Sequence, residues 1–489
     1  MPVRQAFLNF FIKFSMAQFL NIKNEIKEQS GSVLILTLVF SAVFVTLFSG
    51  LVGFIYLQHR QSIQKVSWHE SLNAAEAGLN YYRWHLAHSP DDLQDGTGAA
   101  GPYEHIYSDP ESGAIGKFSL EISGENSCGL TSGVSITSTG WADKFPEVKR
   151  KARAKYVRPT VADYSFIIND NVWVGADHKI TGPYHSNGGI RMDGENNSIV
   201  SSAKETWLCT SSFGCNPSSD KPGIFGDGPN SNLWRFPVPA LDFDGITMDL
   251  AQIKNSAQSG QGLYFGPSGV SGYHINLKEN RTIDVYKINS LDRINAYTLE
   301  EGWHDEYSII DDESFLGNYS IPQDCGAIFI EDDLWVSDLA QGSKVKGRVT
   351  LVSADLINPS RDTNVWLGGD IEYTAQDGSD GFVLIAENNN LIVSDSPDDL
   401  FLDGVYVAQK GKFGRNHYTG QAMKKNKLTI FGSVVSNDRV GTKWTCSGVF
   451  CSGYKDRETN YDPKLSGNPP PFLLPTSEEY DFKEWEEVE

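Results

Sequence analysis

Twenty-five consecutive residues, Val33 to Leu57 (VLILTLVFSAVFVTLFSGLVGFIYL), carry no charge. As a helix at about 1.5 Å per residue, this run exceeds the ~30 Å hydrocarbon core of a bilayer. No other stretch of the chain approaches it in length. Buried helices of soluble cores seldom run this long without a polar face. A cleaved secretory signal would need a shorter apolar region and an A-x-A-like site after it. Here the run passes instead into Gln58–Arg60 and then into a helical pattern.

Ile63, Val66, Leu72, Ala75, Leu79, Tyr82 and Leu86 recur at spacings of three and four, and Pro90 supplies the stop. The pattern predicts one helix from about Ser32 to His88, roughly 85 Å long. Its first half is apolar all round and suits lipid or a bundle of like helices. Its second half is amphipathic and suits packing on a globular body.

Charge divides the chain in the same place. Residues 1–65 carry six basic and two acidic side chains, whereas the whole chain of 489 residues has a net charge of −21. A basic end, an apolar run and an acidic body describe a single-pass protein of the cytoplasmic membrane, N-terminus inside and body outside. The acidic body disfavours phosphate backbones, so no nucleic-acid partner is expected. Hydrophobic residues at 40% against 21% charged exclude a disordered chain.

The N-terminal region resembles the type IV pilins, and specifically the PilX-type minor pilins. The resemblance rests on a polar, Lys-containing leader ending in Gly31, the small Ser32, the apolar run, and Glu70-Ser-Leu-Asn-Ala-Ala-Glu-Ala-Gly-Leu79. Its most specific string is Ala74, Ala75, Glu76, Ala77, Gly78 and Leu79. It covers residues 20–88 well and 89–160 loosely, with a short further similarity in YDPKLSGNPPPF near the C-terminus. It implies that 1–31 is a prepilin leader cut after Gly31, with Ser32 methylated, and that the partners are other pilins or pseudopilins. Two departures stand out. Leu36 occupies the fifth mature position, where most pilins carry Glu, which suits a tip, initiating or low-copy subunit. Residues 6–14 are apolar for a leader, which points to a start at Met16 rather than Met1.

Residues 89–160 read as a small pilin-like β domain, with strands at Lys117–Ile122, Val134–Ser138 and Val148–Val157. The basic run Lys149–Arg153 is expected to be a solvated strand face. From 161 the chain repeats an apolar strand, a Gly bend, a second strand, then a small residue and an amide or acid. The copies are Lys179–Asn187, Lys344–Asp355, Leu402–Gln409 and Leu428–Asn437, with further strands at Asn364–Thr374, Phe382–Glu387 and Asn389–Ser394. Glycine permits the corner and β-branched residues fill the interior. The fold class predicted is mainly β: the long helix, the small sheet, then a parallel β-helix over 161–460, with an insertion at about 205–320 that holds a helical piece near Ile246–Ala257. The competing architecture is an antiparallel sandwich. The Pro-rich, acidic tail 461–489 is not expected to form strands, and Phe472 and Trp485 are its expected anchors across the end of the stack.

Six cysteines point to disulfides, with local staples Cys209/Cys215 and Cys446/Cys451, and Cys128 and Cys325 left over. Zinc lacks a C-x-x-C or paired His. No G-x-S-x-G, H-E-x-x-H or P-loop is present, so no enzyme and no cofactor are expected. Asp242, Asp244 and Asp249, and separately Asp377 and Asp380, are weak calcium candidates. Asp91–Asp95-Gly96 opens like an EF-hand, but Leu93 and Pro102 occupy ligand positions. The 20 Tyr and 11 Trp would suit surface polysaccharide if exposed on the head. The sequence therefore predicts a membrane-anchored, pilus-associated minor-pilin-like protein whose head serves assembly or adhesion. The alternative is a cell-surface carbohydrate-active β-helix enzyme with a pilin-like anchor.

Overall fold

The computed structural model describes residues 32–111, 113–128, 130–243, 250–338, 340–358, 360–420, 423–477 and 479–488. The leader, both possible start sites and Gly31 lie outside the described residues. The chain divides into two compact units, Met1–His69 and Glu70–Glu489. Helix α1 runs unbroken over Ser32–His88, the span its periodicity predicts. In the first unit the apolar run is exposed throughout, and the helix is long and apolar enough to cross a membrane.

The second unit begins with the amphipathic half of α1, which packs on an antiparallel sheet. Its strands are β1 (Tyr103–Asp109), β2 (Gly113–Ser127), β3 (Leu130–Ala142) and β4 (Phe145–Val157), and a fifth, Asp481–Val488, comes from the C-terminus. Leu79, Tyr82 and Leu86 of the helix meet Phe118, Leu120, Val134, Ile136, Ala152, Ala154 and Tyr156 of the sheet.

The fifth strand overturns the expectation that the tail forms none. The prolines end at Pro475, and residues 481–488 pair antiparallel with β4, from Asp481↔Val157 to Val488↔Lys151. Opposite charge favours the pairing: Arg153 Nη1 reaches Glu486 Oε1 at 3.0 Å, and Arg150 pairs with Glu487. The basic run is therefore matched to an acidic strand rather than simply solvated. Trp485 is 45% exposed and pairs opposite Ala154 of β4 rather than lying across an end of the stack. Phe472 is buried, but against a sheet face rather than an end of the stack.

The whole body from 161 to 475 is thus inserted between two neighbouring strands of the small sheet. Its entry and exit run side by side. Val161 N–H donates to Leu474 O at 3.0 Å, and Thr476 N–H donates to Pro159 O at 2.7 Å. Cys128, between β2 and β3, is disulfide-bonded to Cys325 of the body.

The body is a stack of short strands joined by parallel ladders on successive faces. On one face Leu263–Phe265, Ala327–Ile330, Arg348–Ser353, Gly381–Ala386 and Asp399–Ala408 pair in turn, each parallel with the next, followed by Lys424–Ser436. A second face stacks Tyr273–Lys278, Leu334–Val336, Val365–Leu367, Asn390–Ile392 and Phe413–Gly414. The corner glycines of the four sequence repeats, Gly182, Gly347, Gly404 and Gly432, have φ of +112°, +74°, +130° and +142°. Gly404 stacks directly on Gly432, whose Cβ would collide with the Gly404 carbonyl, so a side chain is excluded there by both φ and space.

Spatial order departs from chain order. Val434–Ser436 pairs parallel with Phe166–Ile168, and Arg457–Asn460 with His178–Thr181. The stack then continues through Tyr184–Ser186, Val200–Ser202 and Trp234–Arg235. The chain therefore enters mid-stack, builds to one end by 235, crosses back, and restarts at 263 from the other end. Residues 205–320, expected as one insertion, hold the two ends of this stack, the crossing with helix α2 (Leu250–Gln258), and a long hairpin, Thr282–Thr298 with Gly302–Ser320.

The crossing explains why the strands read as continuous apolar runs. Phe382, Leu384 and Ala386 face the stack interior, while Val383 and Ile385 face outward under Phe243, Ile253 and Ala257 of the crossing and Leu465, Phe472 and Leu474 of the exit leg. Asp177 spans the seam where the two halves of the stack meet. Its carboxylate holds Arg457 Nε at 2.9 Å and Lys443 Nζ at 3.0 Å.

Candidate functional site

The string Ala74–Leu79 lies where α1 comes closest to the sheet. Ala74, Ala75 and Leu79 are buried. A Cβ on Gly78 would collide with Ser138 Oγ and come within 2.7 Å of Phe118 Cδ2. A Cβ on Gly140 of β3 would collide with the backbone at Ser71 and Ala75. Small residues on both partners let helix and strand backbones nearly touch, which is the physical content of the motif. Glu76 sits at the edge of this contact, half-buried. Ser32 opens the helix, and Leu36 is exposed on it.

All six cysteines are paired: Cys128–Cys325, Cys209–Cys215 and Cys446–Cys451. His417 lies beside the last pair, but both sulfurs are committed to the disulfide and are not available as thiolate ligands for a metal. The calcium candidates are Asp242, Asp244 and Asp249, and separately Asp377 and Asp380. Asp242 is described, whereas Asp244 and Asp249 lie outside the described residues. Asp380 is buried and spends its carboxylate on Gly347 N–H, Thr374 Oγ1 and Ala375 N–H, while Asp377 accepts from Ser379 N–H. In the 91–96 loop, Asp92 accepts from Gln94 N–H and Gly96 N–H, so it closes a turn.

An open cleft lies between the long hairpin and the second face of the stack. The hairpin runs along this face over Trp335 and Trp366, whose rings stack at 6.1 Å, and Ile288 packs against them. Its tip docks where Ala296 and Tyr297 pair with Tyr418 and His417. Beside the tip is a cleft of about 430 Å³. Its walls are Glu300, Glu301, His304, Asp305 and Glu306 from the hairpin, and Asn364, Asn388, Asn389, Lys412, Asn416 and Asp438 from the turns of the stack.

Several of these groups are fixed by their partners. Glu306 is buried and accepts from Ser308 Oγ at 2.6 Å, Tyr418 OH at 2.7 Å and Asn416 Nδ2 at 2.7 Å. Lys412 Nζ lies 3.1 Å from Glu300 Oε2, and Arg293 Nη1 lies 2.9 Å from Asp305 Oδ2. Burial raises the Glu300 pKa, but Lys412 outweighs it and holds the carboxyl below its usual range. Next to the cleft, Tyr297, Trp303, His417 and Trp444 form an aromatic cluster with ring centroids 5.2–6.3 Å apart. Burial and Arg415 lower the His417 pKa, so the ring is neutral at pH 7. Trp303 remains 49% exposed. Sequence reading did not find this cleft, because its walls come from separate segments between residues 298 and 438 that only the fold brings together.

No family model matches the chain, and no curated protein does. Among solved structures it is similar to the competence-associated pilin ComZ from Thermus thermophilus, with a TM-score of 0.29 and 11% identity, over 86% of this chain and 98% of that one.

Proposed function

We propose that the chain is a membrane-anchored, PilX-type minor-pilin-like subunit of a type IV pilus or related pseudopilus. Its head is a parallel β-helix, displayed outside the cytoplasmic membrane for pilus assembly or adhesion, and it catalyses no reaction. The partners are other pilins, reached through α1. The carrying observation is the form of α1: a bare, uncharged helical run that continues without a break into a half packed on an antiparallel sheet through the Ala74–Leu79 contact. The β-helix reading is supported by stacked parallel ladders on successive faces, with Gly404 in register with Gly432.

Deleting Ser32–Leu57 should remove the protein from sheared pili, and a head that still co-purified with them would refute incorporation. The mature N-terminus should be a methylated Ser32. The hydrolytic reading has one observation in its favour, the carboxylates gathered at the cleft. Against it, Glu306 is saturated by donors and Glu300 and Asp305 are ion-paired.

A further inference from the structure

We infer that the cleft between the hairpin tip and the stack is a binding site for neutral or amino-bearing oligosaccharide. The inference deepens the adhesive half of the reading above and does not depend on entry into a filament. Its starting point is Asn416, which is 4% exposed and lines the cleft. The amide nitrogen of Asn416 donates to Glu306 Oε2, which fixes the amide orientation, since a carboxylate must face the NH₂ end. The amide oxygen is then left over, and it has no hydrogen-bond partner. A buried acceptor without a donor is unfavourable, and a ligand O–H or N–H would relieve it.

The rest of the wall has the same polarity. Of its carboxylates, Glu306 is filled by protein donors and Glu300 and Asp305 are ion-paired, so Glu301 and Asp438 remain beside the amides of Asn364, Asn388 and Asn389. Lys412 is already committed to Glu300. A wall with more carboxylates than cations favours a ligand that brings O–H or N–H groups over one that brings negative charge. It repels uronic acids and other anions, and the net charge of −21 adds to that repulsion. The volume falls within the roughly 300–1,000 Å³ of small-ligand clefts. Trp303, half exposed on the tip beside His304, offers a flat apolar ring on which the C–H face of a sugar can rest. Polar groups along a cleft with an aromatic platform at its edge suit a chain of sugar rings better than a compact ion.

The test uses the full-length protein in detergent micelles, titrated calorimetrically with cellotetraose, chitosan tetramer and oligogalacturonate. Cellotetraose or the chitosan tetramer should bind, and oligogalacturonate should not. Trp303→Ala and Glu301→Arg, both at exposed positions, should each weaken binding at least tenfold while the variants still unfold in a cooperative thermal transition. The inference is overturned if neither permitted probe binds at millimolar concentration, if both variants bind as the wild type does, or if oligogalacturonate binds equally. Shorter products appearing during incubation would overturn the non-catalytic part. Sheared pili play no role in this assay, so its failure leaves the filament reading intact and the reverse also holds.

Discussion

Gly78→Ala sets two effects of similar size against each other in the contact between α1 and the sheet. Replacing a mid-helix glycine by alanine favours the helix by about 1 kcal/mol. The added methyl, however, would collide with Ser138 Oγ and lie 2.7 Å from Phe118 Cδ2 and 3.1 Å from Leu120 Cδ2. Overpacking of this kind costs about 1–3 kcal/mol. Packing should win, with a net loss of about 1–2 kcal/mol. Ser138 decides whether the reasoning is right. Its hydroxyl is fully buried and has no partner, so Ser138→Ala removes the nearest clash at little cost. Phe118 and Leu120 approach with side-chain ends that can rotate away. The double variant should then recover most of the loss, a favourable coupling of about 1–2 kcal/mol. Hydrogen exchange over residues 70–88 and 116–157, read by mass spectrometry in detergent, reports the local opening free energy. The account fails if Gly78→Ala alone is as stable as wild type, or if Ser138→Ala recovers none of its cost.

Three further outcomes follow from the head. At the seam, burial raises the Asp177 pKa, but Arg457 and Lys443 outweigh it and hold the carboxyl below its usual range. Its stabilisation is present above the unfolded carboxylate pKa and is lost as pH falls through the depressed one. Thermal unfolding below pH 4 should show this loss, and Asp177→Asn, costing about 2 kcal/mol at pH 7, should abolish it. Asp403 is the opposite case: burial pushes its pKa up to about 6, so the folded state loses stability as pH rises from about 4 to 6. Asp403→Asn should flatten the fall in unfolding midpoint between pH 4 and 7 and be the more stable form at pH 7; an unchanged pH profile would contradict it. Replacing Cys128 and Cys325 by serine, which removes a bond between residues 197 apart, should cost about 2–4 kcal/mol. Exchange should accelerate around 125–131 and 324–328 first; uniform acceleration across the head would count against a local link.

Elements set by local pattern were legible in the sequence. The unbroken helix follows from a long uncharged run joined to a 3.6-residue period, and the corners follow from glycine between alternating strands. Neighbour relations were not legible. Phe166–Ile168 pairs with Val434–Ser436 because each offers an apolar strand of the right length, and many other strands in the chain offer the same. The fifth strand was hidden behind a proline run, and acid-rich ends normally read as solvated. Its signal was complementarity, since Lys151–Lys155 alternates basic residues with alanine and residues 484–487 supply Glu, Trp, Glu and Glu. The cleft needed the tertiary fold, because Glu301 and Asn416 share a wall only once the hairpin tip has docked at His417 and Tyr418.

The insertion of the head between two adjacent strands sets an order on synthesis. β4 is made before the head, and the strand that covers its edge is made only after it. Until then the small sheet ends in a bare ladder of backbone donors and acceptors. A chain that stops short, or whose head fails to bring its exit back beside its entry, leaves that edge open. Completion of the largest part of the molecule is thereby registered at the smallest sheet, next to the helix that the proposed filament would have to accept.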